Sequence, residues 1–160
     1  MRRTHAPKRG FFAFTIGRMS TPAEPLPNGA PAAPTQPVSL SREAAALADL
    51  WSPRILAQVN DQYLKVARVQ GEFPWHAHAA EDELFLVLKG ALRIGRSEQD
   101  GGPVTLQPGE AFVVPRGVRH NTSAQEETWI ALIETMSTEH TGGEQTAMTR
   151  SIAEQLGGAR

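Results

Sequence analysis

The chain has 160 residues, of which 40% are hydrophobic and 21% charged, with no cysteine: the size and make-up of one globular domain, excluding disulfides, a thiolate nucleophile and cysteine-held zinc or iron–sulfur centres. The net charge of −1 divides unevenly, because Arg2, Arg3, Lys8, Arg9 and Arg18 give residues 1–20 a charge of +5 while the other 140 carry 11 basic and 17 acidic groups, or −6. A −6 body repels phosphate backbones, and no apolar run approaches the ~20 residues that cross a bilayer, so neither a nucleic-acid nor a membrane partner is expected.

Seven of the twelve prolines (Pro7, Pro22, Pro25, Pro27, Pro31, Pro34 and Pro37) lie in the first quarter among Ala, Thr and Asn. Such a segment buries too little apolar side chain to offset its ordering entropy, so residues 1–38 are read as disordered. The basic head precedes a short apolar run, Phe11–Ile16, which resembles the core of a secretion signal. Gly17-Arg18 follows in place of a small-residue cleavage site, so a cytoplasmic location is expected. Met19 is a second candidate start.

Order begins near Ser39. Ser41 is positioned to cap a helix over Arg42–Leu50, with Leu40, Ala44 and Leu47 along one stripe. After Pro53 the apolar period changes to two. Ile55–Val59, Gln62–Val69, Glu83–Leu88, Ala91–Ile94, Val104–Leu106, Ala111–Val114, Arg119–Ser123 and Thr128–Glu134 read as eight strands, separated by turns too brief for helical crossovers. This pattern predicts an all-β antiparallel sandwich or barrel over residues 39–143. Residues 144–160 form a C-terminal extension with a helix at Thr149–Leu156. Leu84, Leu86, Leu88, Phe112, Val114, Ile130 and Leu132 are core by default, while Phe85 and Val87 share the face of Glu83.

Three of the five histidines fall in the strand region, at Trp75-His76-Ala77-His78 and Arg119-His120-Asn121. Residues two apart on an extended chain point the same way, so His76 and His78 can aim into one cavity. An antiparallel return brings back Glu83, and a third strand can supply His120. Three imidazoles and one carboxylate suit one divalent ion, with Fe, Mn, Ni, Zn and Cu all admissible. A bare His-x-His is common by chance, and Glu81-Asp82-Glu83 alone reads as a solvated loop. The wider pattern raises the odds.

Gly71-x4-His76-x-His78-x4-Glu83-x6-Gly90, followed after 18 residues by Gly109-x5-Pro115-x-Gly117-x2-His120, resembles the two motifs of the cupin superfamily. Trp51-Ser52-Pro53, Gly71-Glu72-Phe73-x-Trp75-His76 and Glu81–Val87 further resemble small single-domain cupins of the mannose-6-phosphate-isomerase-like group. The resemblance implies a cupin-type jelly-roll β-barrel with His76, His78, Glu83 and His120 as metal ligands near one mouth. Two departures stand out: four residues rather than five separate Gly71 from His76, and the terminal Asn of the second motif is missing near Ala124. His140 stands where close relatives often carry Asn, and reads as a surface loop residue.

An octahedral ion held by four protein ligands keeps up to two open positions. The leading expectation is therefore a metal-dependent enzyme acting on a small organic molecule, by dioxygenase-type oxidation or sugar-type isomerisation. A non-catalytic small-molecule or metal-binding module is the alternative, and an architectural barrel with an empty site ranks third. Tyr63, Arg68, Trp75 and Phe85 are candidate pocket residues, with Gln62 and Glu134 on strands that can face the cavity. No acid/base pair is evident from the sequence. Edge strands of such a barrel often pair across a two-fold axis, so a homodimer is expected.

Overall fold

One strand of 16 residues, His120–Thr135, organises the protein. In the computed structural model, which describes residues 34–157, it is the last of seven strands. In chain order the elements are α1 (Leu40–Ala45), β1 (Arg54–Val59), β2 (Gln62–Glu72), β3 (Glu83–Lys89), β4 (Leu92–Arg96), β5 (Val104–Leu106), β6 (Ala111–Val114), β7 (His120–Thr135) and α2 (Ile152–Gly157). All strand pairs are antiparallel, in the order β1-β2-β7-β3-β6, with β4 joining β7 to β5. The hydrogen-bonded path does not close on itself, so this is a jelly-roll-like sheet curved around its contents.

Seven strands replace the expected eight because Arg119–Ser123 and Thr128–Glu134 are two halves of β7. The first half pairs with β4 (Ile94 opposite Thr122) and the second with β3 (Phe85 opposite Leu132), while β2 runs beside both. Gln125 and Glu126 are exposed between the halves, and their polarity imitates a turn. A register shift against β2 between Val69 and Gly71 marks the same place, as a bulge that bends the pair.

The interior follows the two-residue period. Glu83, Phe85 and Val87 face inward and are buried, whereas Leu84, Leu86 and Leu88 lie on the opposite face and are only half-buried. The expectation that these three leucines form the barrel core is thus corrected. Leu86 and Leu88 pack outside, with Val66, Ala131, Ala44 and Leu47, beneath α1. The inner cluster joins Trp51, Phe73, Phe85, Val87, Ile94, Val114, Ile130 and Leu132, with Phe112 partly buried against it. Between β3 and β4 the chain reverses at Gly90, with φ +82° and Thr128 so close that a Cβ would collide with it, a position open only to glycine.

Both helices are shorter than expected. Helix α1 starts earlier, because Ser39 rather than Ser41 caps it by accepting from Arg42 N, and it stops at Ala45. The following chain bridges to Arg68 through Leu50, and Trp51 N donates to Arg68 O at 2.8 Å. Helix α2 begins where Ser151 and Glu154 bond each other's backbone N–H groups, Ser151 N to Glu154 Oε2 at 2.7 Å and Glu154 N to Ser151 Oγ at 3.3 Å, a reciprocal capping box. Most of the proline-rich segment, residues 1–33, lies outside the described residues, as does the expected disorder there. Among the described residues no helix is long and apolar enough to cross a membrane.

Candidate metal centre

His76 and His78 occupy the extended segment between β2 and β3, Glu83 opens β3, and His120 opens β7. His76 and His120 form a backbone bridge, each N–H donating to the other's carbonyl at 2.9 Å. Residues exchanging both bonds across antiparallel segments project their side chains to the same side, and the two rings stand 4.4 Å apart. His78 is fixed separately: Gly117 N, in the turn after Pro115, donates to His78 O at 2.7 Å. Arg116 N donates to Asp82 Oδ1 at 2.9 Å, tying the same turn to the loop before Glu83.

The structure thus brings His76, His78, Glu83 and His120 together, all buried, with one ligand atom from each lying within 4.8 Å of the others. Nδ1 of His76 lies 3.0 Å from Pro74 O and Nδ1 of His120 lies 3.1 Å from Val118 O. A carbonyl only accepts, so Nδ1 carries the proton in each neutral ring and Nε2 presents a bare lone pair. His76 Nε2 is buried without a hydrogen-bond partner. Glu83 Oε2 lies 3.2 Å from His120 Nε2 and 3.3 Å from His78 Nε2. Converging lone pairs and a buried carboxylate require a shared cation, either protons or a metal ion. The donor set therefore fits a divalent first-row ion.

The electrostatics agree. Burial, helped by the neighbouring His120, pushes His76 down to about 4, so it is uncharged at neutral pH. At His78 burial also opposes the charge, but the hydrogen bond and negative charge of Glu83 outweigh it and raise the pKa. Burial disfavours the Glu83 anion, yet hydrogen bonds from His120 and His78 hold its carboxyl well below the usual carboxylate range.

A recess opens beside His76 and Glu83. It is narrow, with a cavity volume of about 30 Å³. Its walls are mostly apolar: Trp51, Pro53, Val69, Phe73, Phe85, Ile130 and Leu132, with Thr122, Glu134 and His140 as polar groups beyond the cluster. Of the four candidate pocket residues, Phe85 lines the recess. Tyr63 is buried outside its lining, and Trp75 is 39% exposed with Arg119 over its ring. Arg68 points to the opposite face of β2, where it bonds Leu47 O and Glu127.

Two polar features escaped the sequence. Lys65 is wholly buried and paired with Glu134; burial and the charge of Glu83 push Glu134 up to about 7, with Lys65 restraining the rise. His140 is the second. It sits in a turn after the last strand, as expected, and is half-buried rather than a free surface residue: it lines the recess with its ring 5.1 Å from that of Phe73, and its Nε2 is buried without a partner. Burial lowers its pKa to about 4. The turn carrying it folds back onto the histidine segment, as Gly142 abuts Ala77. Glu134 was visible as an inward-facing strand position, but nothing local marked His140.

Comparison with known proteins places the fold in a family. The cupin-domain family pattern (Cupin_2) matches residues 64–134, which contain all four clustered side chains. A crystal structure of a cupin-2 domain containing protein from Shewanella frigidimarina is 41% identical, with a TM-score of 0.57, over 61% of this chain and 93% of that one. The chain belongs to the cupin superfamily. This cupin is also 33% identical over 73 residues to the uncharacterized protein YdbB of Bacillus subtilis, a match spanning 46% of the chain and 63% of that relative's length. Its fold is shared with hydroquinone 1,2-dioxygenase from Sphingomonas sp. TTNP3, at 15% identity and a TM-score of 0.53, over 62% of this chain and 74% of that one; at that identity the likeness speaks to fold alone.

Proposed function

We propose that His76, His78, Glu83 and His120 hold one divalent metal ion and that this cupin is a metal-dependent enzyme acting on a small organic molecule. The observation that carries the reading is the convergence of three imidazoles and one carboxylate, two of the rings pinned through Nδ1 by backbone carbonyls. A bound ion of this kind supplies Lewis acidity and positions open to substrate or dioxygen. The chain's own contribution is to orient the ligands, exclude water with Trp51, Phe73, Phe85 and Ile130, and place the Glu134 carboxyl within the same recess. Apolar and aromatic walls suit a molecule with an apolar body better than a polyhydroxylated sugar, which favours oxidation over sugar-type isomerisation.

A non-catalytic binding module is the second reading, supported by the narrowness of the interior. The two separate in one experiment. Protein reconstituted with Fe, Mn, Ni, Zn or Cu is screened aerobically and anaerobically against single-ring phenols and small sugars. Metal-dependent O₂ uptake or product supports the enzyme; tight capture of a compound with no product supports the module.

A further inference from the structure

His140 has a buried, unpartnered ring nitrogen, and it faces the same recess as His76 and Glu83. A polar atom left so costs stability of about 1–3 kcal/mol unless something bonds it. The turn that carries it is firmly built. Thr138 and Thr141 are buried, Thr141 Oγ1 bonds Glu144 O and pairs with Thr149 Oγ1 at 3.0 Å, and Gly142 N donates to Glu139 O at 2.8 Å. Gly142 sits against the Ala77 carbonyl, so closely that a Cβ there would overlap it. The turn is therefore seated on the residue between His76 and His78, and the position of His140 is coupled to theirs.

We propose that His140 is a ligand-binding residue of the recess, hydrogen-bonding through its ring nitrogen a hydroxyl group of a small, apolar-bodied molecule held beside the metal cluster. The proposal rests on the reading of the site given above and names its substrate class. A hydroxyl both donates and accepts, so it meets the ring in either tautomer. The aromatic surfaces of Trp51, Phe73 and Phe85 suit the rest of such a molecule. His140 stays uncharged at neutral pH because burial disfavours its cation, which leaves it a neutral hydrogen-bonding group rather than an anion trap.

The test compares phenol with its hydroxyl-free counterpart fluorobenzene by calorimetry on the metal-loaded full chain, in wild type, His140→Phe and His140→Gln, with metal stoichiometry measured on each. Wild type should bind phenol roughly five- to tenfold more tightly than fluorobenzene. His140→Phe should abolish that preference while binding fluorobenzene and metal as before, and His140→Gln, which keeps a hydrogen-bonding group, should recover part of it. An unchanged preference in His140→Phe, no preference in wild type, or loss of metal in His140→Phe overturns the proposal. A wild type that prefers phenol through His140 yet binds no metal instead sinks the metal reading and leaves this one standing.

Discussion

His76 and His120, 44 positions apart in sequence, exchange both backbone hydrogen bonds at 2.9 Å. The main chain, not the side chains, therefore sets the distance between two of the four converging groups. His120→Ala leaves that bridge intact and removes one donor atom. Metal affinity should fall by about 100-fold or more, with the fold retained; elemental analysis after desalting measures the first and circular dichroism the second. Full metal content in this variant would show that His120 is no ligand.

Gly142→Ala should act at a distance. Its φ of +62° strains any Cβ, and here the Cβ would also overlap the Ala77 carbonyl. We expect a loss of about 2 kcal/mol or more in denaturant unfolding, together with weaker metal binding. Gly109→Ala, at φ +86° with nothing within 4 Å of its Cβ, should lose only the backbone term of about 1 kcal/mol and keep its metal.

Acid should destabilise the metal-free protein through His140. Its folded pKa lies at about 4, below the ordinary histidine value of 6.5. Between those values the unfolded chain binds the proton and the folded chain does not, so stability present above pH 6.5 is lost as pH falls toward 4. The loss from this group between pH 7 and 5 is about 1–2 kcal/mol. His76 contributes in the same direction, so urea titrations should show a shallower pH dependence in His140→Phe than in wild type, and not a flat one. Equal slopes would contradict the burial described for His140.

The outer face of the sheet carries an apolar row. Leu64 pairs with Ile133, Ile133 with Leu84, and Leu84 with Val113, and Ile133 and Val113 are 41% and 45% exposed. We propose that two copies meet here across a two-fold axis, which sets the row against its own image. Sedimentation at micromolar concentration should give a dimer for wild type and a monomer for Ile133→Asp. A monomeric wild type refutes this.

The four-residue cluster was legible in the sequence because its first three members are local and the two cupin motifs supply the long step to His120. His-x-His lies on one extended segment, Glu83 follows after a short loop, and Pro115-Arg116-Gly117 is a turn that returns the chain to His120. The inward face of β3 was equally readable from its alternation, although the hydrophobicity of Leu84, Leu86 and Leu88 obscured which side was inner until α1 was seen to cover the outer one. His140 was not legible. Its placement depends on a turn after the last strand folding back onto Ala77, a long-range contact with no periodic signature. Lys65 was hidden for a related reason, since a lysine on a strand reads as solvent-facing unless its partner, here Glu134, is known to lie across the sheet.

The most direct test of the account is X-ray absorption on protein reconstituted with one divalent metal and desalted at pH 7.5. One ion per chain, with imidazole scattering from three nitrogens at about 2.0–2.1 Å in the zinc form and one carboxylate oxygen, is the predicted result. A chain that retains no ion, or one whose bound ion shows no imidazole scattering, would contradict it.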